Sequence, residues 1–131
     1  MSDTKCARLL VEAAEKDLSA LRHMDNADAF PDEIFGLHAQ QAAEKLFKAW
    51  LALLDETYPL VHDLRRLLEM LTAHEPDAHR FGALIEYTPY AMQFRYTGQD
   101  MPAGSLDRER IVEEVSALLE DVRRRLTSAE G

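Results

Sequence analysis

Residues 35–51 read FGLHAQQAAEKLFKAWL, and this stretch decides the fold of the chain. At 100° per residue its apolar side chains, continued by those of the next turn, cover roughly half of a helix circumference. A helix at a protein surface has a narrower apolar stripe, so this arc predicts a central helix with neighbours on several sides. The arc consists of Phe35, Ala39, Ala42, Ala43, Leu46, Phe47, Ala49, Trp50, Leu53 and Leu54.

Helical spacing continues over almost the whole chain. Apolar residues recur at steps of three and four from Cys6 to Leu21, which predicts a first amphipathic helix. Pro31 is suited to open the second helix, because a first-turn proline lacks only an amide that would be unpaired there. We predict helix two over 31–54 and helix three over 62–73. A fourth helix is predicted from Asp77 to a break at Thr88-Pro89, and a loop over 94–104.

The fifth predicted helix has the clearest end signals. Ser105 is a good N-cap, Asp107 and Glu109 fall in the first turn, and the arginines of 123–125 are assigned to the last turn. Its apolar stripe consists of Val112, Val115, Leu119, Val122 and Leu126. We therefore predict an all-α, antiparallel four-to-five-helix up-and-down bundle in a single domain spanning 1–131.

Composition narrows the classes of partner. The 131 residues include 15 basic and 24 acidic ones, giving a net charge of −9 that disfavours broad nucleic-acid binding. The sequence contains neither the run of about 20 apolar residues needed to cross a bilayer nor an N-terminal signal region. Cys6 is the only cysteine, which excludes an internal disulfide. We expect a cytoplasmic protein without a membrane segment, metal or cofactor.

Two rows of polar side chains follow the edges of helix two. One row consists of His38, Gln41, Lys45 and Lys48, and the other of Gln40 and Glu44. A solvated face with a weak Glu44–Lys48 pair is one interpretation. The other is a ligand site, because adjacent amides beside an apolar core require hydrogen-bond partners.

Two further pairs of residues allow alternative roles. His62-Asp63 either caps helix three through Asp63 or lies near an anion bound at that N-terminus, with His62 against the ligand. Arg95-Tyr96 either grips phosphate and stacks on a base, or Arg95 pairs with Glu44 to join two helices. His74 and His79 lack a second ligand at metal spacing, so we expect both to be exposed.

The chain resembles the HEPN family, named for higher eukaryotes and prokaryotes nucleotide-binding. The resemblance covers about 5–126 and rests on residues 38–49 (HAQQAAEKLFKA), on Tyr58-Pro59 with His62-Asp63-Leu64, and on Arg95-Tyr96. It implies an antiparallel helical bundle that commonly forms dimers. Many members are encoded beside a minimal nucleotidyltransferase and resemble half of a toxin–antitoxin pair.

Many HEPN proteins are metal-independent ribonucleases that carry an Arg, four to six residues and then a His. This chain departs from that pattern, since its nearest pair, Arg66 and His74, has seven residues between. We therefore hypothesise a non-catalytic dimeric module that binds a nucleotide or a nucleotidyltransferase partner. Its expected ligand-binding residues are Gln41, Lys45, Lys48, His62, Arg95 and Tyr96. The alternatives are a ribonuclease toxin using an unconventional pair such as His62 with Arg95, and a purely structural dimerisation module.

Overall fold

The computed structural model describes residues 3–26, 28–58, 63–86 and 107–131 of the chain. These residues contain helices and connecting turns but no strand, which confirms the all-α prediction. The helices are α1 (Thr4–Arg22), α2 (Asp32–Leu53), α3 (Leu64–His74), a 3₁₀ helix (Pro76–Glu86) and α4 (Arg108–Glu130). Within the described ranges, none of them is both long and apolar enough to span a bilayer.

Aspartate side chains begin three of these helices. Asp3 accepts a hydrogen bond from the Cys6 amide at 3.0 Å and caps α1. Asp63 accepts from the Arg65 amide at 3.0 Å, which confirms the predicted cap of helix three. A carboxylate at this position satisfies an amide that has no partner within the helix and also interacts favourably with the helix dipole.

The start of α4 differs from the prediction. Its N-cap is Asp107, whose side chain accepts from the Arg110 amide at 3.1 Å, whereas the predicted cap Ser105 lies outside the described residues. Asp107 is therefore the cap itself and not a first-turn residue. Pro31 likewise stands one position earlier than predicted, as the N-cap of α2.

The fourth helix, predicted to begin near Asp77, is present as a 3₁₀ helix over Pro76–Glu86. Its predicted break at Thr88-Pro89 and the predicted loop over 94–104 lie outside the described residues. The predicted end of the last helix is corrected. The arginines of 123–125 do not occupy the last turn, because α4 continues to Glu130. They pair instead with acidic groups on α1, on α4 itself and at the C-cap of α3.

Contacts between helix ends establish that α1 is antiparallel to both α2 and α4. The Asp3 amide at the start of α1 donates to the Ala52 carbonyl at the end of α2, at 3.0 Å. Along α1 and α4 the pairs run in opposite order: Arg8 with Glu130, Glu15 with Arg123 at 3.0 Å, and Arg22 with Ser116 at 3.1 Å. These three helices form the body of the bundle, with α3 and the 3₁₀ helix packed against α2.

The apolar arc of α2 forms the centre of the core. Its first eight members, from Phe35 to Trp50, are all fully buried, and Leu53 and Leu54 are partly buried against them. The predicted phase of the central helix is therefore confirmed. α2 packs against α1, α3, α4 and the 3₁₀ helix. Its polar side chains therefore lie along the edges of the apolar arc.

Candidate functional site

Each of the two lysines on the polar edge of α2 lies beside a different carboxylate, so the polar side chains form two separate groups. Asp17 of α1 holds Lys45, and Glu44 of α2 holds Lys48. We call the first group, Asp17 with His38 and Lys45, the Asp17 cluster. We call the second group, Glu44 with Gln40, Lys48 and Tyr58, the Glu44 network.

The Asp17 cluster lies in the seam between α1 and α2. The ammonium of Lys45 donates to Asp17 Oδ2 at 2.6 Å, and His38 Nδ1 lies 3.6 Å from Asp17 Oδ1. The second distance is longer than a hydrogen bond but within the range of an ion pair between a protonated ring and a carboxylate. The Asp17 side chain is 12 % exposed, whereas those of His38 and Lys45 are each 32 % exposed.

The Glu44 network lies deeper, between α2 and the segment that follows it. Gln40 Nε2 donates to Glu44 Oε1 at 2.9 Å, and the Lys48 ammonium donates to Glu44 Oε2 at 3.0 Å. This confirms the predicted Glu44–Lys48 pair. The two side chains are only 12 % and 11 % exposed, so this pair is more desolvated than an ordinary surface ion pair.

Tyr58 closes the Glu44 network on one side. The Lys48 ammonium lies 5.7 Å from the centre of the Tyr58 ring, within the range of a cation–π interaction. The Tyr58 hydroxyl lies 3.6 Å from Cys6 Sγ on α1. Burial, together with the Cys6 thiol and the charge of Asp3, raises the pKa of Tyr58 to about 12, so the phenol stays protonated at neutral pH.

The two lysines therefore differ in what they can offer to a ligand. An ammonium has three N–H donors; the ammonium of Lys45 is bonded to Asp17, and its side chain is one-third exposed. Lys48 is mostly enclosed between Glu44 and Tyr58. Gln41 lies between His38 and Lys45 along the same row and is half-buried. On geometric grounds the accessible part of the row is His38, Gln41 and Lys45.

The remaining predicted site residues cannot be placed on this face. His62, Arg95 and Tyr96 lie outside the described residues, and so does the predicted Glu44–Arg95 pair. Asp17 is a site residue that the sequence-based prediction missed. The sequence contains a weak indication of this role. Asp17 directly precedes Leu18, at the edge of the buried α1 stripe, and an acidic residue in that position requires a partner.

A second charged cluster joins α4 to the 3₁₀ helix. The buried carboxylate of Asp121 lies 3.0 Å from Arg80, 3.0 Å from Arg124 and 3.1 Å from Arg125. Burial raises the pKa of Asp121, but the hydrogen bonds and charges of these arginines outweigh it and hold the pKa below its ordinary value. A carboxylate that stays ionised between three guanidinium groups is suited to join helices.

Grooves and metal ligands give no stronger candidate. A groove of about 650 Å³ beside this cluster is lined by Arg80 and Arg124 but also by Glu114 and Glu120, so these charges balance. Within 3–26, 28–58, 63–86 and 107–131, no group of three His, Cys, Asp or Glu residues is arranged to hold a metal ion. We therefore take the Asp17 cluster with Gln41 as the candidate functional site.

These features define the class of protein as an all-helical bundle whose central helix carries a row of cationic and amide side chains at the edge of its core. A family model, described as the HEPN domain, matches residues 7–125 and so covers most of the chain. The chain therefore belongs to the HEPN domain family. No curated protein and no solved structure matches the chain in the corresponding comparisons.

Proposed function

We propose that this HEPN domain is a non-catalytic cytoplasmic module that binds the phosphate of a nucleotide through Lys45 and Gln41. The nucleotide is either free in solution or bound to a minimal nucleotidyltransferase. In the second case, this domain and the nucleotidyltransferase are the two halves of a toxin–antitoxin-like pair. The family's Arg and His spacing for ribonuclease activity is missing from the sequence, which argues against catalysis. The two alternatives, a ribonuclease and a purely structural dimerisation module, predict different results for nucleotide binding and RNA cleavage.

The observation that carries this proposal is the accessibility of Lys45. Its ammonium is held by Asp17 while the side chain as a whole remains one-third exposed, so the ammonium is oriented for a ligand before the ligand arrives. Preorganised donors lose less conformational entropy on binding than free surface lysines. In a chain with net charge −9, long-range attraction for phosphate is absent, so affinity has to arise from such local donors.

Lys45→Ala is expected to weaken binding of ATP by roughly tenfold to a hundredfold, the usual effect of losing one charge-assisted hydrogen bond. The measurement is isothermal titration calorimetry at pH 6.5 with ATP up to millimolar concentration. Lys16→Ala is the matched control, because Lys16 is exposed on α1 and its removal changes the net charge by the same amount. This control variant is expected to keep the wild-type affinity.

Other results would support the alternatives. If wild type binds no nucleotide and Lys45→Ala only lowers the melting temperature, Lys45 serves to join α1 and α2 and the domain is structural. If metal-free wild type cleaves total RNA, the domain is a ribonuclease despite its missing pattern. Far-UV circular dichroism of both variants separates loss of affinity from loss of the fold.

We further propose that the domain is a homodimer, as the family resemblance implies. Analytical ultracentrifugation at micromolar concentration is expected to give about twice the 14.9 kDa mass of one chain. A single monomeric species that persists to about 100 μM would contradict this prediction, since obligate subunits associate well below that concentration. Adding ATP to the same samples tests whether nucleotide binding and association are linked.

A further inference from the structure

The charge balance of the Asp17 cluster limits how it can hold a phosphate. The carboxylate of Asp17 neutralises the charge of the Lys45 ammonium, which it contacts at 2.6 Å. With a neutral His38 ring, the three side chains therefore sum to zero. They become net positive only when the ring gains a proton, and histidine is the side chain that ordinarily does so between pH 5 and 8.

The position of His38 also determines which ring nitrogen carries hydrogen in the neutral form. Nδ1 is buried and faces Asp17 Oδ1 at 3.6 Å, with no hydrogen-bond partner among the described residues. A carboxylate is an acceptor only, so it favours the tautomer with hydrogen on Nδ1. The ring is nevertheless 32 % exposed, and because Nδ1 contributes nothing to this exposure, the accessible edge is the one that carries Nε2.

These two points have a chemical consequence for a phosphate at the accessible edge. In the neutral Nδ1–H tautomer, Nε2 has a lone pair and repels phosphate oxygens. In the imidazolium, both nitrogens are donors, so Nδ1–H points to Asp17 and Nε2–H is available to a ligand. Among the described residues, the ion-pair partner of the ring is Asp17 from α1, and Lys45 from α2 pairs with the other oxygen of that carboxylate.

We propose that His38 is the second cationic donor of the phosphate site and that nucleotide binding takes up a proton at this ring. This inference rests on the proposed nucleotide binding and adds to it a ligand contact and a pH dependence. The bound phosphate lies between Nε2–H of His38 and the Lys45 ammonium, with Asp17 behind both. Affinity therefore increases as the pH falls from 8 toward 5.5.

The test uses the methyl ester of AMP, because its phosphodiester keeps a single charge over this pH range and contributes no proton of its own. Calorimetry at pH 5.5 and pH 8.0 is expected to give at least a tenfold weaker affinity at the higher pH for wild type. His38→Gln keeps a polar side chain but cannot gain a charge, and its affinity is expected to be equal at both pH values. His23→Gln is the control, since His23 is exposed and bonded to its own helix at Ser19.

A second measurement on wild type alone guards against a folding defect in the variant. Titrations at pH 7 in buffers of different ionisation enthalpy count the protons taken up, and net uptake is expected on binding. Equal wild-type affinity at both pH values, or an unchanged pH dependence in folded His38→Gln, would overturn the role of His38 and leave nucleotide binding intact. If wild type binds ATP but not the diester at either pH, the role of His38 is overturned; if it binds neither ligand, both proposals are overturned.

Discussion

Replacing Arg108 with alanine is expected to lower the free energy of unfolding by about 3–5 kcal/mol. Arg108 begins α4 and donates to the Met24 carbonyl at 2.7 Å, to the Phe30 carbonyl at 2.6 Å and to Asp32 at 2.7 Å. Its side chain is 11 % exposed and that of Asp32 is 3 % exposed. The substitution leaves a buried carboxylate without this guanidinium and two carbonyls without their donor.

Chemical denaturation followed by circular dichroism at 222 nm measures this effect. Arg110→Ala is the matched control, because Arg110 lies one half-turn further along α4, is 69 % exposed and pairs with Glu114 of its own helix. Its loss is expected to change stability by less than about 0.5 kcal/mol. Equal effects of the two substitutions would show that the Arg108 bonds contribute no more than a surface pair.

A double-mutant cycle separates the charge pair from the carbonyl bonds. Asp32→Asn removes the charge of the partner while keeping its shape. Arg108→Met keeps much of the packing against Phe35, whose ring centroid lies 4.8 Å from the guanidinium carbon. The two substitutions together are expected to cost less than the sum of the single effects. Strict additivity would mean that the carbonyl contacts, and not Asp32, account for the role of Arg108.

The central helix could be predicted because its information is local. Ten apolar residues within 20 positions fix the phase of α2, and Trp50 and Phe47 are buried on the face that this phase predicts. Capping by Asp63 is equally local, since donor and acceptor are two residues apart. The Glu44–Lys48 pair could be predicted for the same reason, because residues four positions apart lie next to each other on one face of a helix.

The partners across the bundle could not be predicted in this way. Asp17 and Lys45 are 28 residues apart, and Arg108 and Asp32 are 76 residues apart. Helical spacing says which face a residue occupies but not which residue of another helix stands opposite. The candidate site therefore gained Asp17 only from the structure, and with it the reason that Lys45 and Lys48 differ.

The end of α4 shows how a sound local rule can be overridden. Three consecutive arginines complement the dipole of a helix that stops after them, which is why 123–125 was predicted to be the last turn. In the structure Arg123 pairs with Glu15 of α1, and Arg125 pairs with Asp121 and Glu75. Of these acceptors, Glu15 and Glu75 lie outside α4 and Asp121 lies on it, so the arginines are paired without a helix end and α4 continues for another turn.

Trp50→Ala is expected to cost about 3–5 kcal/mol, the usual range for deleting a large buried aromatic side chain. Trp50 is fully buried, and its ring meets Phe81 edge-on at a centroid distance of 6.0 Å. The guanidinium carbon of Arg125 lies over the same ring, 4.2 Å from its centroid. Truncation therefore leaves a cavity where α2, α4 and the 3₁₀ helix meet, and it removes the aromatic partner of Arg125.

The comparison with Trp50→Phe distinguishes packing from the polar part of the indole. Nε1 of Trp50 is buried and finds no acceptor among the described residues, so phenylalanine keeps a ring against Phe81 while removing an unsatisfied donor. Its cost is expected to be less than half that of alanine. Denaturation has to be followed by circular dichroism, because Trp50 is the only tryptophan. Leu9→Ala, at a side chain that is 61 % exposed, is the surface control. A loss below about 1 kcal/mol for Trp50→Ala would mean that the centre of the bundle is packed differently from this structure.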